Sequence, residues 1–383
     1  MVKERVALGS LLLAVIFLIA GPALADTTQW SPAKANAWYA KHRWLVGGNY
    51  INRDAINQLE MWQADTFNPA QIDQELSWAA GIGMNTMRVY LHDLLWEQDA
   101  DGFKKRIDQF LTIAAKHGIK PLFVFFDSCW DPEPKLGKQR EPKPGVHNSG
   151  WVQSPGRAGL ADTANYRKLE AYVQGVLRAF GKDERILGWD LWNEPDNVYG
   201  GAGPDSSEAN EKLRLVAALL PQVFEWAREA NPSQPLTSGV WIRDDWSKPE
   251  NLTPVERVQL LQSDIITFHV YDWPEALERK IKQLQAYGRP IICTEYLARS
   301  AGSTFDSSLP IARKYDVGMI NWGLVSGKTQ TIYPWDSVGR PYTAPPTVWF
   351  HDVFHPDGRP YRQAEADQIK SLTSEARAEF AKR

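Results

Sequence analysis

Cysteine is almost missing from this chain of 383 residues: only Cys129 and Cys293 occur. Two thiols exclude a multi-bridge disulfide framework and leave room for one bridge at most. On the strand map developed below they fall far apart around the sheet, which favours two free thiols. Histidine is scarce too. The seven present are dispersed, without the H-x-H or H-E-x-x-H spacing of a zinc site, and His351 and His355 flank a stretch that reads as loop. Neither a metal nor a cofactor is expected. No G-x-G-x-x-G follows the first strand, which removes a dinucleotide-binding reading, and no G-x-S-x-G supplies a serine nucleophile elbow. The formal charge is −3, and no basic stretch could neutralise a row of phosphates, so nucleic acid is excluded as a partner.

The one extended apolar run is at the N-terminus, and no other stretch is long and apolar enough to cross a bilayer. There Lys3 and Arg5 precede the apolar stretch 6–20, and Ala23-Leu24-Ala25 follows. A basic start, a short apolar middle and small residues at a cleavage point describe an export signal over 1–25, cut before Asp26. The same residues could act as an uncleaved anchor if Ala25 were not cut. Cleavage removes Lys3, Glu4 and Arg5, making the mature chain one charge more negative. The expected product is exported, periplasmic or extracellular, and free of the membrane. Tryptophan is in excess, with 17 residues. Either the core is strongly aromatic, or the indoles form flat platforms for a ligand with apolar faces, as pyranose rings have.

From Asp26 onward, short β-rich apolar runs alternate with longer segments of helical period, the pattern of parallel strands joined by helical crossovers. Eight strands are predicted, at 44–51, 86–91, 121–126, 186–192, 235–241, 265–271, 290–297 and 318–324. Helices are predicted over 71–80, 104–117, 166–180, 208–230, 275–287, 307–314 and 365–381, with the weakest crossover near 254–262. With no phosphate-binding glycine signature, the α/β class resolves to a (β/α)8 TIM barrel, a single catalytic domain over 26–383. Two strand-to-helix connections, 127–160 and 325–362, are unusually long and rich in Pro, Gly, Trp and charge. They leave strands 3 and 8 at their C-terminal ends, where they would wall the mouth of the barrel.

The strongest local signal is Trp189-Asp190-Leu191-Trp192-Asn193-Glu194-Pro195, a strand ending in a carboxylate and halted by proline. Ile291-Ile292-Cys293-Thr294-Glu295-Tyr296 puts a second carboxylate at the matching place on strand seven. Strands four and seven lie across the top of a closed barrel from one another. Glu194 and Glu295 can therefore flank a glycosidic bond, one protonating the leaving oxygen while the other attacks the anomeric carbon.

At these residues the chain resembles the clan of retaining glycosidases with acid/base and nucleophile on the fourth and seventh barrel strands, and within it glycoside hydrolase family 5. The likeness spans essentially the whole mature chain. Asn193-Glu194-Pro195 matches the acid/base motif, Glu295 the nucleophile, Arg88 in Asn85-Thr86-Met87-Arg88 the second-strand arginine, His269-x-Tyr271 the sixth-strand pair, and Trp322 the eighth-strand aromatic. The resemblance implies that Arg88 favours the ionised form of Glu295 and that negative Glu295 raises the pKa of Glu194. It also implies that Asn193 holds the sugar 2-hydroxyl, Tyr271 donates to Glu295, His269 lines the subsite and Trp322 forms its floor. Asn49, His92, Asp127 and Trp130 fall near strand ends and are candidate subsite residues. Family 5 members often carry a histidine just after strand three, and Phe126-Asp127-Ser128-Cys129-Trp130 departs from that.

The resulting expectation is a retaining hydrolase of β-linked hexosides with an oligosaccharide or polysaccharide substrate. The long loops, with the likeness to family 5 β-mannosidases, favour exo action or short glycans. An endo-acting β-1,4-glucanase, mannanase or xylanase is the runner-up. A non-catalytic carbohydrate-binding barrel would keep the aromatics without needing both glutamates, and a structural or adhesive envelope protein would need repeats or low-complexity tails that this chain lacks.

Overall fold

In the computed structural model, residues 29–199 and 203–382 are described. The signal-like segment 1–25 lies outside them. Eight parallel strands alternate with helices: β1 (Val46–Tyr50), β2 (Thr86–Tyr90), β3 (Lys120–Asp127), β4 (Gly188–Asn193), β5 (Leu236–Thr237), β6 (Ile266–His269), β7 (Ile291–Glu295) and β8 (Gly318–Asn321). They pair in the order β5-β4-β3-β2-β1-β8-β7-β6. The ring closes through Val240, which forms a parallel bridge with Phe268 just beyond the two-residue β5. This is a (β/α)8 barrel.

The crossover helices follow the predicted periods, most starting one or two residues earlier than predicted. Asn68 caps Pro69–Gly81, with proline at the first helical position, where no backbone N–H is needed. The helix Asp93–Lys116 starts eleven residues ahead of its predicted boundary, because it is kinked at Asp99 and its first part breaks the period. The weakest predicted crossover is a capped helix, Pro254–Gln262, in which Thr253 and Glu256 satisfy each other's backbone N–H groups as a capping box. An additional N-terminal helix, Pro32–Tyr39, starts from Ser31 as cap. Beneath the barrel, Trp30 and Ala35 pack with Leu45, Leu122, Leu187, Ile265, Ile292 and Ile320, residues at or near the N-terminal ends of six strands. That cluster plugs the end opposite Glu194 and Glu295.

Nine of the 17 tryptophans are buried, so the aromatic-core reading accounts for more than half of the excess. Six of the nine donate their indole N–H, among them Trp62 to the Tyr90 carbonyl (2.8 Å), Trp44 to that of Val317 (2.7 Å) and Trp192 to Ser128 Oγ (3.0 Å). The connections after β3 and β8 join each other above the barrel. Asn148 N donates to the Thr329 carbonyl (2.8 Å), Tyr342 N to that of Gly145 (3.0 Å), and His147 N to Ser337 Oγ (2.9 Å). Because β1 and β2 lie between β8 and β3 in the ring, this union arches over the ends of β1 and β2.

Candidate active site

Most of the site comes from the last residues of the strands and the positions just after them, while Arg88 and Asp190 stand mid-strand in β2 and β4. At the end of β4 the chain turns sharply: Glu194 has φ 41°, in the left-handed region that non-glycine residues rarely occupy. Pro195 then prevents the strand from continuing. Glu295 closes β7, and a register shift between Phe268 and His269 sets His269 opposite Glu295. Such a bulge re-aims a side chain at a strand end. One oxygen of Glu194, one ring nitrogen of His269 and one oxygen of Glu295 lie within 4.8 Å of one another, and all three residues are buried.

Arg88 is the hub of the site and is fully buried. Its Nη1 donates to Glu295 Oε1 (2.7 Å), Tyr90 Oη (2.6 Å) and Asn49 Oδ1 (3.1 Å). Its Nη2 reaches Asp190 Oδ2 (2.7 Å) and Asn193 Oδ1 (2.7 Å), and its Nε also reaches Asp190 Oδ2 (2.9 Å). Burial opposes its charge, and Tyr90, Asp190 and Glu295 more than offset it, raising its pKa further. Glu295 also accepts from Tyr271 Oη (2.7 Å) and Tyr90 Oη (3.1 Å). Glu194 has a different shell: His269 Nδ1 lies 2.8 Å from Oε1, while Asn197 Nδ2 (2.7 Å) and Cys129 Sγ (3.2 Å) donate to Oε2.

Burial pushes both carboxyls up from the ordinary range. His269 would favour the ionised form of Glu295 if it were charged, but burial drives its own pKa down to about 4. At neutral pH it is therefore an uncharged imidazole, and Arg88 is the cation in contact with Glu295. Glu194 touches no cation. Its proton is held by burial first, opposed by the Asn197 amide and the Cys129 thiol, rather than mainly by repulsion from Glu295. The result is two carboxyls of unlike character, one fixed in a cationic hydrogen-bonded cradle and one suited to carrying a proton.

Asn193, His269 and Tyr271 stand around this pair. Asn193 accepts from Arg88 and donates to Asp127 Oδ1 (2.9 Å), its register partner on β3. Trp322, half-buried at the end of β8, meets Tyr90 and Trp151 edge-to-face at ring separations of 5.9 and 5.7 Å. The four candidate subsite residues are held by contacts of their own. Asn49 spends its amide on the carbonyls of Thr294 (2.8 Å) and Asn321 (3.1 Å), so it positions Arg88. Asp127 accepts from Trp151 Nε1 (2.6 Å) and the Cys129 N–H (3.0 Å) as well as from Asn193. Trp130 packs its ring 5.6 Å from that of His147. His92 is a correction: it is fully buried as a helix cap, with Nδ1 accepting from Leu94 N (3.2 Å) and Nε2 3.1 Å from the Gln153 carbonyl. Both nitrogens are spent, which leaves none for a sugar.

Sequence reasoning missed Asp190, Tyr90, Asn197 and Cys129. Tyr90 lies two residues beyond Arg88 on β2 and so shares its face. Asp190 is a carboxylate inside a strand of Trp and Leu, a position that demands a cationic partner. The two cysteines are free, as their separation on the strand map suggested. Among the described residues, Glu194, His269 and Glu295 are the only three metal-ligating side chains that converge, and the Arg88 guanidinium already supplies positive charge there.

No family model matches the sequence. No curated protein matches it either. Solved structures do. A GH5_18 protein from Streptomyces cattleya, determined with GlcNAc, superposes with TM-score 0.57 at 10% identity over 88% of this chain and 80% of its own. The exo-β-1,4-mannosidase of Opitutaceae bacterium strain TAV5 gives 0.55 at 18% identity, over 88% of this chain and 60% of its own. The endo-1,4-β-mannanase of Rhizomucor miehei gives 0.54 at 15%, over 88% and 98%. The chain shares their fold. At such identities the likeness extends to the barrel, and function has to be argued from the site.

Proposed function

We propose that the protein is a retaining β-glycoside hydrolase of the family 5 type, with Glu194 as acid/base and Glu295 as nucleophile. The observation that carries this reading is the approach of the two carboxylates: one oxygen of each lies within 4.8 Å of the other. Retaining pairs stand about 5–5.5 Å apart, and inverting pairs about 6.5–9.5 Å apart to admit a water. In the first step Glu194 gives its proton to the leaving oxygen while Glu295 attacks the anomeric carbon, breaking the glycosidic bond and forming a glycosyl ester. That ester is neutral, so ionised Glu194 no longer faces a negative neighbour and can take a proton from water. Water then displaces Glu295, and the configuration is retained. Asn193 Nδ2 donates to Asp127 Oδ1 (2.9 Å) and, more weakly, to Cys129 Sγ (3.4 Å), so the sugar 2-hydroxyl would take the place of the thiol contact, and Trp322 offers its ring as the subsite floor.

For the substrate, we propose a β-mannoside or a related short β-linked oligosaccharide, attacked from its end. Support comes from the union of the loops after β3 and β8, which arches over the ends of β1 and of β2, the strand that carries Arg88. The opposite side carries the exposed rings of Tyr199 and Trp273 and is open. Neighbours in fold include both an exo-mannosidase and an endo-mannanase, so an endo-acting β-1,4-glycanase is the second reading. Release of monosaccharide from the first turnovers of a soluble β-1,4-mannooligosaccharide supports exo action; mixed oligomers support the other. Export of the chain by its N-terminal segment is part of the same proposal.

Azide separates the two glutamates. Glu194→Ala should still form the glycosyl-enzyme from aryl glycosides with acidic phenols, and azide should release it as the β-glycosyl azide. Glu295→Ala can form no covalent species, so azide can rescue it only as the α-azide. Opposite anomers would reverse the roles, and full activity in both variants would remove the site altogether.

A further inference from the structure

The end of the barrel opposite the glutamates carries a second concavity. A cavity of about 520 Å³ is lined by Leu45, Asn85, Lys120 and Leu187, which stand at the starts of β1, β2, β3 and β4. The chain leaving helix Pro32–Tyr39 lays Trp38, Lys41, His42 and Arg43 along it, and Phe380 from the last helix completes one wall. Lys41, Arg43 and Lys120 thus face one space in a protein whose formal charge is −3.

Lys41 and Arg43 are not neutralised from within, and Lys120 feels the nearby Asp183 carboxylate without forming an ion pair with it. Among the described residues, neither Lys41 nor Arg43 has a carboxylate within ion-pair distance. Lys120 Nζ donates to a neutral group, the backbone carbonyl of Glu184 (2.7 Å). Arg377 adds a like charge beside Arg43, and His42 is pushed down to about 4 by burial, with Lys120 and Lys41 contributing. Glu184 is the one carboxylate in the lining, and its side chain is exposed. Holding like charges together around a half-desolvated space costs free energy unless an anion occupies it. The half-buried ring of Trp38 borders the same space, 4.8 Å from that of His42. Cations beside an indole suit a ring that carries oxyanions.

We infer that this cavity is a second binding site for an acidic saccharide, a pyranose unit bearing sulfate, phosphate or carboxylate groups, separate from the glutamate pair. Lys41, Arg43 and Lys120 hold the oxyanions, and Trp38 takes the sugar face. The site does not depend on hydrolysis. It would tether the barrel to an anionic glycan while the mouth at the other end stays free.

Calorimetric titration of the full chain at low ionic strength tests this, using a sulfated disaccharide, the same disaccharide without sulfate, inorganic sulfate, and vesicles of anionic phospholipid. The sulfated disaccharide should bind, weakening as salt is added, and should bind about tenfold or more better than either the unsulfated sugar or inorganic sulfate. Arg43→Glu and the surface change Lys41→Glu should each weaken it by about tenfold or more. Melting curves and aryl glycoside turnover should be unchanged in Lys41→Glu. Equal binding by the variants, equal binding of the unsulfated sugar, or binding to vesicles alone would each overturn the assignment.

Discussion

Replacing Arg88 with methionine removes the one guanidinium that ties Glu295, Asp190, Asn193, Tyr90 and Asn49 together through six hydrogen bonds. Methionine keeps much of the volume but leaves two buried carboxylates without their cation. Breaking a buried pair in this way costs about 3–5 kcal/mol, within a total stability on the order of 5–15 kcal/mol. The barrel should still fold. With an unfolding entropy of about 2.1 cal/mol/K per residue, a chain of this length should lose roughly 4–7 °C in Tm. The catalytic consequence has a definite sign. Arg88 favours ionised Glu295, so its loss raises the Glu295 pKa, and a nucleophile that must be ionised then needs a higher pH. The acidic limb of kcat/KM against pH, measured with an aryl β-glycoside below the melting range, should move upward. Arg88→Lys restores a charge without the fork and should move it less. An acidic limb that stays in place while KM rises would refute the electrostatic role and make Arg88 a substrate-positioning residue.

Asn197→Ala removes the 2.7 Å amide donor to Glu194, so the acid should hold its proton more tightly and the basic limb should shift to higher pH. An unmoved basic limb would show that Asn197 acts only on loop structure. His147, where the two long loops meet, has its pKa lowered to about 4 by burial, against an ordinary value of 6.5. The folded form therefore binds fewer protons, and its contribution is complete above pH 6.5 and lost as pH falls toward 4, worth about 3 kcal/mol. Limited proteolysis within 128–156 should quicken over that window, and His147→Phe should flatten the response. Gly47→Ala would place a Cβ 1.8 Å from the Thr86 carbonyl oxygen across the β1–β2 pair, and should cost ~3 kcal/mol or more, read as lost soluble yield or a lower Tm.

The barrel was legible because its signal is global: eight apolar runs spaced by helical periods leave few topologies for a chain without a phosphate-binding loop. Boundaries failed where a local device overrode the period, as with the kink at Asp99. Two elements could have been read more firmly, since Thr253-Pro254-Val255-Glu256 spells a capping box and Ser31-Pro32 a helix start. The convergence of Glu194, Glu295 and Arg88 was legible because each is a charge at the C-terminal end of a strand or within one, where a barrel concentrates its chemistry.

What escaped is the layer of contacts that makes the two glutamates different. Asn197 and Cys129 come from turns after β4 and β3, and no periodicity announces that both will donate to one oxygen of Glu194. His92 failed for the converse reason: a histidine at a strand end can equally be the first cap of the next helix, and Leu94 N takes up the ring nitrogen that a sugar would need. Asp190 was within reach. A carboxylate between Trp189 and Leu191 cannot be buried alone, Arg88 is the cation that the family resemblance puts on the second strand, and a cation shared by two carboxylates cannot serve Glu295 alone. The sequence thus contained the further consequence that Asp190 competes with Glu295 for Arg88. Asp190→Asn should therefore leave the guanidinium bound more fully to the nucleophile and shift the acidic limb downward, opposite to Arg88→Met. A shift in the same direction as Arg88→Met would mean that Asp190 holds Arg88 in place rather than drawing charge from it.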